Sequence, residues 1–463
     1  MKKLGVVITD GVGFRNFVLT DFISEAQQQY DEVVLLSFLP ASIYANINSS
    51  IRVIELAAYD EHFVNWFFRK AKELAHLTKN SPGNFGITDN LNANRTKSNT
   101  PRGFATRLLF KITQYFHSES WISWYQRLQN WSFSKNKTSQ YYQKLLKEEG
   151  FTTLFFTHQR PPYIAPLVYQ AQKIKIKTVS YIFSWDNLAS KGRMAADFDG
   201  YLVWSDLMKK DLLQFYENVN NQQIQCVGAP QFEPYVLARY AQTKEAFCRS
   251  LDLDTEKPII CFSCGDMSTS KNDELYIQTI AEAIQNGRIV PATLLVRTSP
   301  AEDPIRFETL VKQFPDIRWH FPKWQQTRHD HQEAWSQRVP TVEDIIDLRA
   351  ILRYSALNIN MLSTMSLDFM HFDKPVINSV FGNDTNGLYN DQRFLKYAHI
   401  QHLVQSGATR VVTNENQLIE AINTYLKHPE LDAENRQQLL RLQIGKPLQG
   451  TSQRIVEALK TWN

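Results

Sequence analysis

Residues 4–38 read LGVVITDGVGFRNFVLTDFISEAQQQYDEVVLLSF, and their pattern decides the fold class. Leu4 to Thr9 is a short apolar run closed by Asp10, the length and composition of a strand buried on both faces. Asp10-Gly11-Val12-Gly13 reads as a tight glycine turn. A helix is predicted from about Asn16 to Gln28, and Glu32 to Phe38 is a second apolar strand. Strand, turn, helix and strand in this order open a doubly wound parallel sheet.

The same rhythm returns along the chain. Thr152–Thr157, Thr178–Phe183 and Gly200–Trp204 read as strands with helices between them. A second set follows at Pro258–Ser263, Thr293–Val296, Ile317–Phe321, Ala356–Asn360 and Val376–Val380, with a helix predicted over Thr364–Phe372. The expected architecture is α/β, with two Rossmann-like doubly wound domains facing a cleft at the carboxyl ends of their strands, where open α/β sheets bind ligands. The expected boundaries are residues 1–235 for the first domain, 256–448 for the second and 449–463 for a terminal helix. Residues 231–255 read as the linker.

Composition narrows the class. The chain has 463 residues, 43% hydrophobic and 21% charged, enough for two substantial cores. A net charge of +4 is too small to imply nucleic acid. Four cysteines form no disulfide framework, which points to a reducing compartment. Cys261 and Cys264 have C-x-x-C spacing but no second ligand pair, so they read as structural. The apolar run after Lys3 is shorter than a signal-peptide core, and no stretch reaches the roughly 20 apolar residues of a membrane span. The expectation is a cytoplasmic protein whose membrane contact, if any, is peripheral and at the inner face.

One segment departs from the α/β rhythm. Residues 69–147 carry fourteen lysines and arginines against three acids. Its middle, Ser81–Pro101, reads as a polar loop or poorly ordered insertion. Beyond it Phe104, Leu108, Tyr115, Trp121, Trp124 and Trp131 recur among basic residues. Two readings stand: amphipathic helices packed on the first domain, or a basic aromatic surface resting on anionic lipid.

Candidate ligand residues cluster at strand ends of the second half. Ser363, Thr364, Ser366 and Asp368 follow the strand Ala356–Asn360 at a helix start, where N–H groups and hydroxyls meet anions. Plain N-capping is the alternative. Gly265 ends one neighbouring strand, and Arg297 ends the next. The planar fork of Arg297 suits a phosphate, and a structural salt bridge is its alternative.

The run Ser355–Phe381, SALNINMLSTMSLDFMHFDKPVINSVF, resembles the donor-binding segment of GT-B glycosyltransferases of the bacterial surface-polysaccharide type. It also resembles the CDP-glycerol glycerophosphotransferases of teichoic-acid synthesis. The resemblance covers roughly residues 150–460. It implies that Ser363, Thr364, Ser366 and Asp368 touch a donor's phosphates or ribose. Arg297 matches the arginine of an R-x-H-P-like motif, but Ser299 stands where those phosphotransferases have histidine, which leaves a sugar donor ahead.

Such a transferase places acceptor and base in its first domain. His158 and Asp10, both at strand ends, are the candidate bases. Gly13 lies in the Asp10 turn. The loop Phe183–Gly192 concentrates Asp186, Asn187 and Lys191, and similar W-D-N-L-x-S-K-G loops occur in GT-B-like proteins. The cluster His329-Asp330-His331 reads as a solvated loop, so no metal is expected. The implied function is transfer of a sugar from a UDP-, GDP- or CDP-linked donor to a carbohydrate or lipid-linked acceptor, without a resident cofactor and without nucleic acid. An epimerase of the same architecture, a polyol-phosphate transferase and a non-catalytic binding protein are the alternatives.

Overall fold

The computed structural model describes residues 2–462 except 46, 48–50, 58, 302, 330, 332 and 383–388. The chain divides into two compact units. The first comprises Met1–Glu233, Gln326–Val339 and Gln443–Asn463; the second comprises Pro234–Gln325 and Pro340–Leu442.

The first unit is built on seven parallel strands. These are β1 (Lys3–Ile8), β2 (Glu32–Ser37), β3 (Arg52–Glu55), β4 (Thr153–Phe156), β5 (Lys177–Tyr181), β6 (Gly200–Val203) and β7 (Ile224–Cys226), in the order β3-β2-β1-β4-β5-β6-β7. Every residue of β1 and β4 is buried, as parallel strands covered on both faces require. The chain winds outward from β1 toward β3 and then crosses back to β4, so the switch point of the sheet lies between β1 and β4. Leu4 pairs with Thr153 and Val7 with Phe156, which brings the carboxyl ends of the two strands level.

Helices α1 (Gly11–Phe17) and α2 (Phe22–Gln29) cover this sheet. Phe17 meets Phe155 and Phe22 edge-on or nearly so, with ring centroids 5.2 and 5.3 Å apart. The glycine turn expected at residues 10–13 is instead the first turn of α1. Asp10 caps it by accepting from the Gly13 N–H, which starts the helix five residues earlier than the apolar spacing implies.

The insertion between β3 and β4 consists of five helices and the loops that join them: α3 (Phe63–Asn80), α4 (Phe85–Ala93), α5 (Pro101–Thr113), α6 (Glu119–Phe133) and α7 (Lys137–Glu149). The polar stretch Ser81–Pro101, expected as a loop, holds α4 at Phe85–Ala93 and is without helix over residues 94–100. Asn84 caps α4 through the Ile87 N–H at 3.0 Å, and Thr100 with Pro101 starts α5. Ala71, Leu74, Ala75, Leu109, Ile122 and Tyr125 form the core of the insertion.

The second unit repeats the plan with six parallel strands. The strands β8 (Ile259–Ser263), β9 (Thr293–Arg297) and β10 (Arg318–His320) are followed by two short strands outside this sheet, β11 (Trp324–Gln326) and β12 (Arg338–Pro340). Then come β13 (Leu357–Asn360), β14 (Val376–Ser379) and β15 (Arg410–Val412), and the sheet order is β10-β9-β8-β13-β14-β15. Its switch point lies between β8 and β13.

The expected linker does not stand apart, since residues from Pro234 onward pack with the second unit, and the terminal helix Thr451–Leu459 packs on α2 of the first. Residues 326–339 return to the first unit, and the Arg338 carbonyl passes over Gly11 so closely that a Cβ at position 11 would sit 1.6 Å from its oxygen. Backbone cannot yield as a flexible side chain does. Gly11→Ala is therefore expected to destabilise the protein by about 1–3 kcal/mol or more, read as a lowered urea midpoint; an unchanged midpoint would contradict this packing.

Candidate active site

Asp10 and His158 leave β1 and β4 on either side of the switch point of the first sheet, the place where open α/β sheets bind ligands. Asp10 is wholly buried. One of its oxygens accepts from the Gly13 N–H at 2.8 Å; the other accepts from Thr9 Oγ1 at 2.8 Å and from His158 Nδ1 at 2.9 Å. Burial pushes the Asp10 carboxyl up, but the hydrogen bond and charge of His158, with the bonds from Gly13 and Thr9, outweigh it and hold the group below the usual carboxylate range. An ionised Asp10 can only accept, so Nδ1 of His158 carries its hydrogen and Nε2 is left as the acceptor nitrogen of the ring. Phe183 stacks on the imidazole at 4.0 Å and fixes the ring plane. Gly13 serves this arrangement from within: a Cβ there would lie 2.7 Å from Thr157 Oγ1.

His158 borders a pocket of about 330 Å³ formed entirely by the first unit. Arg69, Lys72, Arg160 and Arg193 line it, with Glu73 and Glu333 as the acidic side chains. Arg69 is held by Glu61, and Arg193 by Glu119 and Asn218. Nε of Arg160 and Nη1 of Arg193 are buried and have no hydrogen-bond partner among the described residues. Burial pushes the Lys72 ammonium down to about 7, its Nζ reaching Gln126 and the Ala195 carbonyl. Burial pushes the Glu333 carboxyl up, with Asp10 adding to it against Arg69 and Arg160.

The loop after β5 closes on itself. Asn187 is buried, accepts from Gln159 Nε2 at 2.8 Å and donates to Asp186 at 3.0 Å, tying this loop to the one that carries His158. Asp186 and Lys191 pair at 3.5 Å and are partly exposed. The residues that follow the loop, Arg193 to Ala195, line the pocket, and Gly192 before them packs on Glu73.

His331 is not in a solvated loop. It is buried, lies edge-on to Tyr163 at 5.1 Å and contacts Ser336, while Asp330 lies outside the described residues. Tyr163 in turn donates to the Thr9 carbonyl. Among the described residues, no group of three His, Cys, Asp or Glu side chains could hold a metal ion. Cys261 and Cys264 are buried free thiols, pushed up by burial.

In the second unit the strand-end residues have defined partners. Arg297 is buried; its guanidinium bonds both oxygens of Asp344, at 3.0 and 3.2 Å, and His320 Nδ1 at 2.8 Å. Its fork is therefore occupied by protein, as in the salt-bridge alternative. Ser366 is fully buried in a knot with Asn360 and Asn378, and Asp368 accepts from the Tyr235 hydroxyl. Gly265 donates to Asp273 and accepts from Arg306, and a Cβ on it would lie 2.2 Å from Ser270 Oγ.

The predicted helix over 364–372 is only Met365–Met370. Ser363 and Thr364 remain half-exposed in the turn before it, where Leu362 holds φ +50°. A branched residue in the left-handed region is strained and marks a turn whose shape is set by its surroundings. The site residues that sequence reasoning missed are Lys72, Arg160 and Arg193. Two of them stand close to residues it singled out, Arg160 after His158 and Arg193 after Lys191.

No protein-family model matches the chain, and no curated protein matches it in sequence. Solved structures match it in fold. UDP-bound MnaA from S. aureus is similar over 100% of this chain and 97% of its own, with TM-score 0.55 and 10% identity. A UDP-GlcNAc 2-epimerase from Neisseria meningitidis, bound to UDP-GlcNAc, matches over 100% of both chains with TM-score 0.52 and 11% identity. A glycosyltransferase from Rickettsia africae matches over 100% of this chain and 98% of its own, with TM-score 0.51 and 11% identity. The fold is thus of the GT-B type, two Rossmann-like parallel-sheet domains. These likenesses support the GT-B resemblance and not the one to glycerophosphotransferases.

Arg297→Ala would leave Asp344 buried beside an empty partner position. The expected cost is about 3–5 kcal/mol, measured by chemical denaturation. Burial pushes the Asp344 carboxyl up, but Arg297 more than compensates and holds it below the usual range. The pair's contribution is therefore full above the ordinary carboxylate pKa and is lost as pH falls through the lowered one. The deficit of the variant should shrink in acid, and a pH-independent deficit would count against an ionised pair.

Proposed function

We propose that the chain is an enzyme acting on a nucleotide-activated sugar, and that it transfers the sugar to a carbohydrate or lipid-linked acceptor of the cell envelope. The observation that carries this reading is the Asp10–His158 pair at the switch point of the first sheet, bordering a pocket lined by four cationic side chains. His158 Nε2 takes the proton of the acceptor hydroxyl as that oxygen bonds to the anomeric carbon. The bond from that carbon to the donor's phosphate oxygen breaks, and the nucleoside diphosphate leaves. The Asp10 carboxylate holds the imidazole in the useful tautomer and stabilises the imidazolium. Arg160 and Arg193, each with an unpartnered buried nitrogen, suit an anionic group on the substrate.

Donor contact falls to the second unit in this reading. Ser363 and Thr364, half-exposed in the strained turn after β13, present hydroxyls to phosphate, and Gly265 shapes the neighbouring loop with its backbone bonds to Asp273 and Arg306. Arg297, Ser366 and Asp368 act beneath them as positioning residues. Asp186 and Lys191 are the sugar contacts of the loop after β5. The donor is proposed to be UDP-linked, since UDP and UDP-GlcNAc are the ligands named in two of the structures of like fold. No resident metal or cofactor takes part.

A second reading, epimerisation of the nucleotide sugar, is favoured by Glu73 and Glu333 in the same pocket. The raised carboxyl of Glu333 is suited to handing a proton to carbon. The acceptor separates the readings. Purified protein is expected to be stabilised by one nucleotide among UDP, GDP and CDP, by about 2–3 kcal/mol near a hundredfold excess over its Kd. It should consume the sugar donor only with acceptor present, EDTA should leave the rate unchanged, and His158→Ala should lower kcat about 10²–10⁴-fold when assayed below its own Tm, which falls because the buried Asp10 loses one of its donors. An isomerised donor formed without acceptor would establish the second reading, and an unimpaired His158→Ala enzyme would remove His158 from both.

A further inference from the structure

The helical insertion carries a surface that its own packing does not use. On α6 the residues Ile122, Tyr125, Gln129 and Phe133 face inward and are buried. A second stripe at helical spacing, Trp121, Trp124, Leu128 and Trp131, faces outward, with Trp131 63% exposed. A helix of an ordinary soluble domain has one apolar face; this one has two. Next to it, α5 and the turn that follows expose Phe104, Leu108, Lys111 and Tyr115 at the same periodicity, with Phe104 58% and Tyr115 75% exposed. The rings of Phe116, Trp121 and Trp124 touch in series, at 4.7 and 5.4 Å, and carry the exposed aromatic surface from the turn after α5 onto α6. Contiguous exposed apolar area of this kind marks an interaction site.

Charge identifies the partner. Between Pro101 and Lys137 there are six cations, Arg102, Arg107, Lys111, Arg127, Lys135 and Lys137, and one acid, Glu119. Glu119 is neutralised by Lys79 and Arg193, at 3.0 and 2.6 Å. The Arg107 guanidinium lies over the Phe104 ring, a cation set beside the apolar face. A second copy would bring like charges together. Tryptophan and tyrosine rings flanked by Lys and Arg match the boundary between acyl chains and anionic headgroups, where rings enter by about 5–10 Å and cations meet phosphate. We propose that the α5–α6 face is a docking surface for an anionic phospholipid bilayer. Contact is peripheral, since among the described residues no helix is long and apolar enough to cross a membrane.

Vesicle sedimentation tests this independently of the reaction. The full chain should sediment with vesicles of phosphatidylglycerol and phosphatidylcholine, be largely released as salt rises, and stay in solution with phosphatidylcholine alone. Trp124→Ser with Trp131→Ser should weaken binding about tenfold or more while keeping Tm, because both side chains are already exposed. Lys111→Glu with Arg127→Glu should abolish the preference for anionic vesicles. Failure to sediment with anionic vesicles, or undiminished binding by both double variants, overturns the proposal. So does a dimer in sedimentation velocity that the tryptophan variant dissociates, since the patch would then be covered by a second copy.

Discussion

Asp10 carries its charge out of contact with solvent, and the donors of Gly13, Thr9 and His158 are what make that state tolerable. Each ties the carboxylate to a different task. The Gly13 bond begins α1 directly at the end of β1. The Thr9 bond commits that hydroxyl's proton to the carboxylate, beside the Thr157 hydroxyl. The His158 bond sets the imidazole tautomer. Helix start and ring orientation are thus solved by one group. The two glycines beside it answer to other neighbours, since a Cβ at Gly11 would meet the Arg338 carbonyl and one at Gly13 the Thr157 hydroxyl.

The two sheets use arginine in opposite ways. In the second unit Arg297 is saturated by Asp344 and His320, and its charge is spent on holding β9 to the helix Val342–Tyr354. Around the His158 pocket, Arg160 and Arg193 keep buried nitrogens without a partner among the described residues. A buried donor left unpaired costs stability, and such a cost is tolerable where a ligand can repay it. The Lys72 ammonium, pushed down to about 7 by burial, adds a charge that changes over the neutral range. The positive potential of the pocket therefore rises on mild acidification.

The fold was legible because its strongest signals are local. Buried parallel strands such as Leu4–Ile8 and Ile259–Phe262 are unbroken apolar runs, and their spacing reports the crossover helices. Asp10 and His158 could be found as polar residues at strand ends. Less visible were features that depend on partners far along the chain. Nothing in the spacing around Arg297 reveals Asp344, 47 residues away. Ser366 and Asp368 look like an anion-binding helix start, yet the Asn360–Asn378 knot and Tyr235 claim them. Capping by Asn84 placed α4 inside a stretch whose polar composition reads as loop throughout. His331 was misread as solvated because its cover, Tyr163, comes from another part of the sequence.

The first unit is assembled from three separate stretches of chain, Met1–Glu233, Gln326–Val339 and Gln443–Asn463. Its pocket takes Glu333 from the second stretch, and α2 is covered by a helix from the third. A chain emerging from the ribosome, at about 5–20 residues per second, presents the seven-stranded sheet first but cannot complete it until residues 451–459 have been made. The nascent first unit therefore leaves uncovered the part of α2 that packs against Thr451–Leu459 for the whole time the second is being synthesised. The order of synthesis and the order of completion are reversed, and the early intermediate is the species that a chaperone would meet.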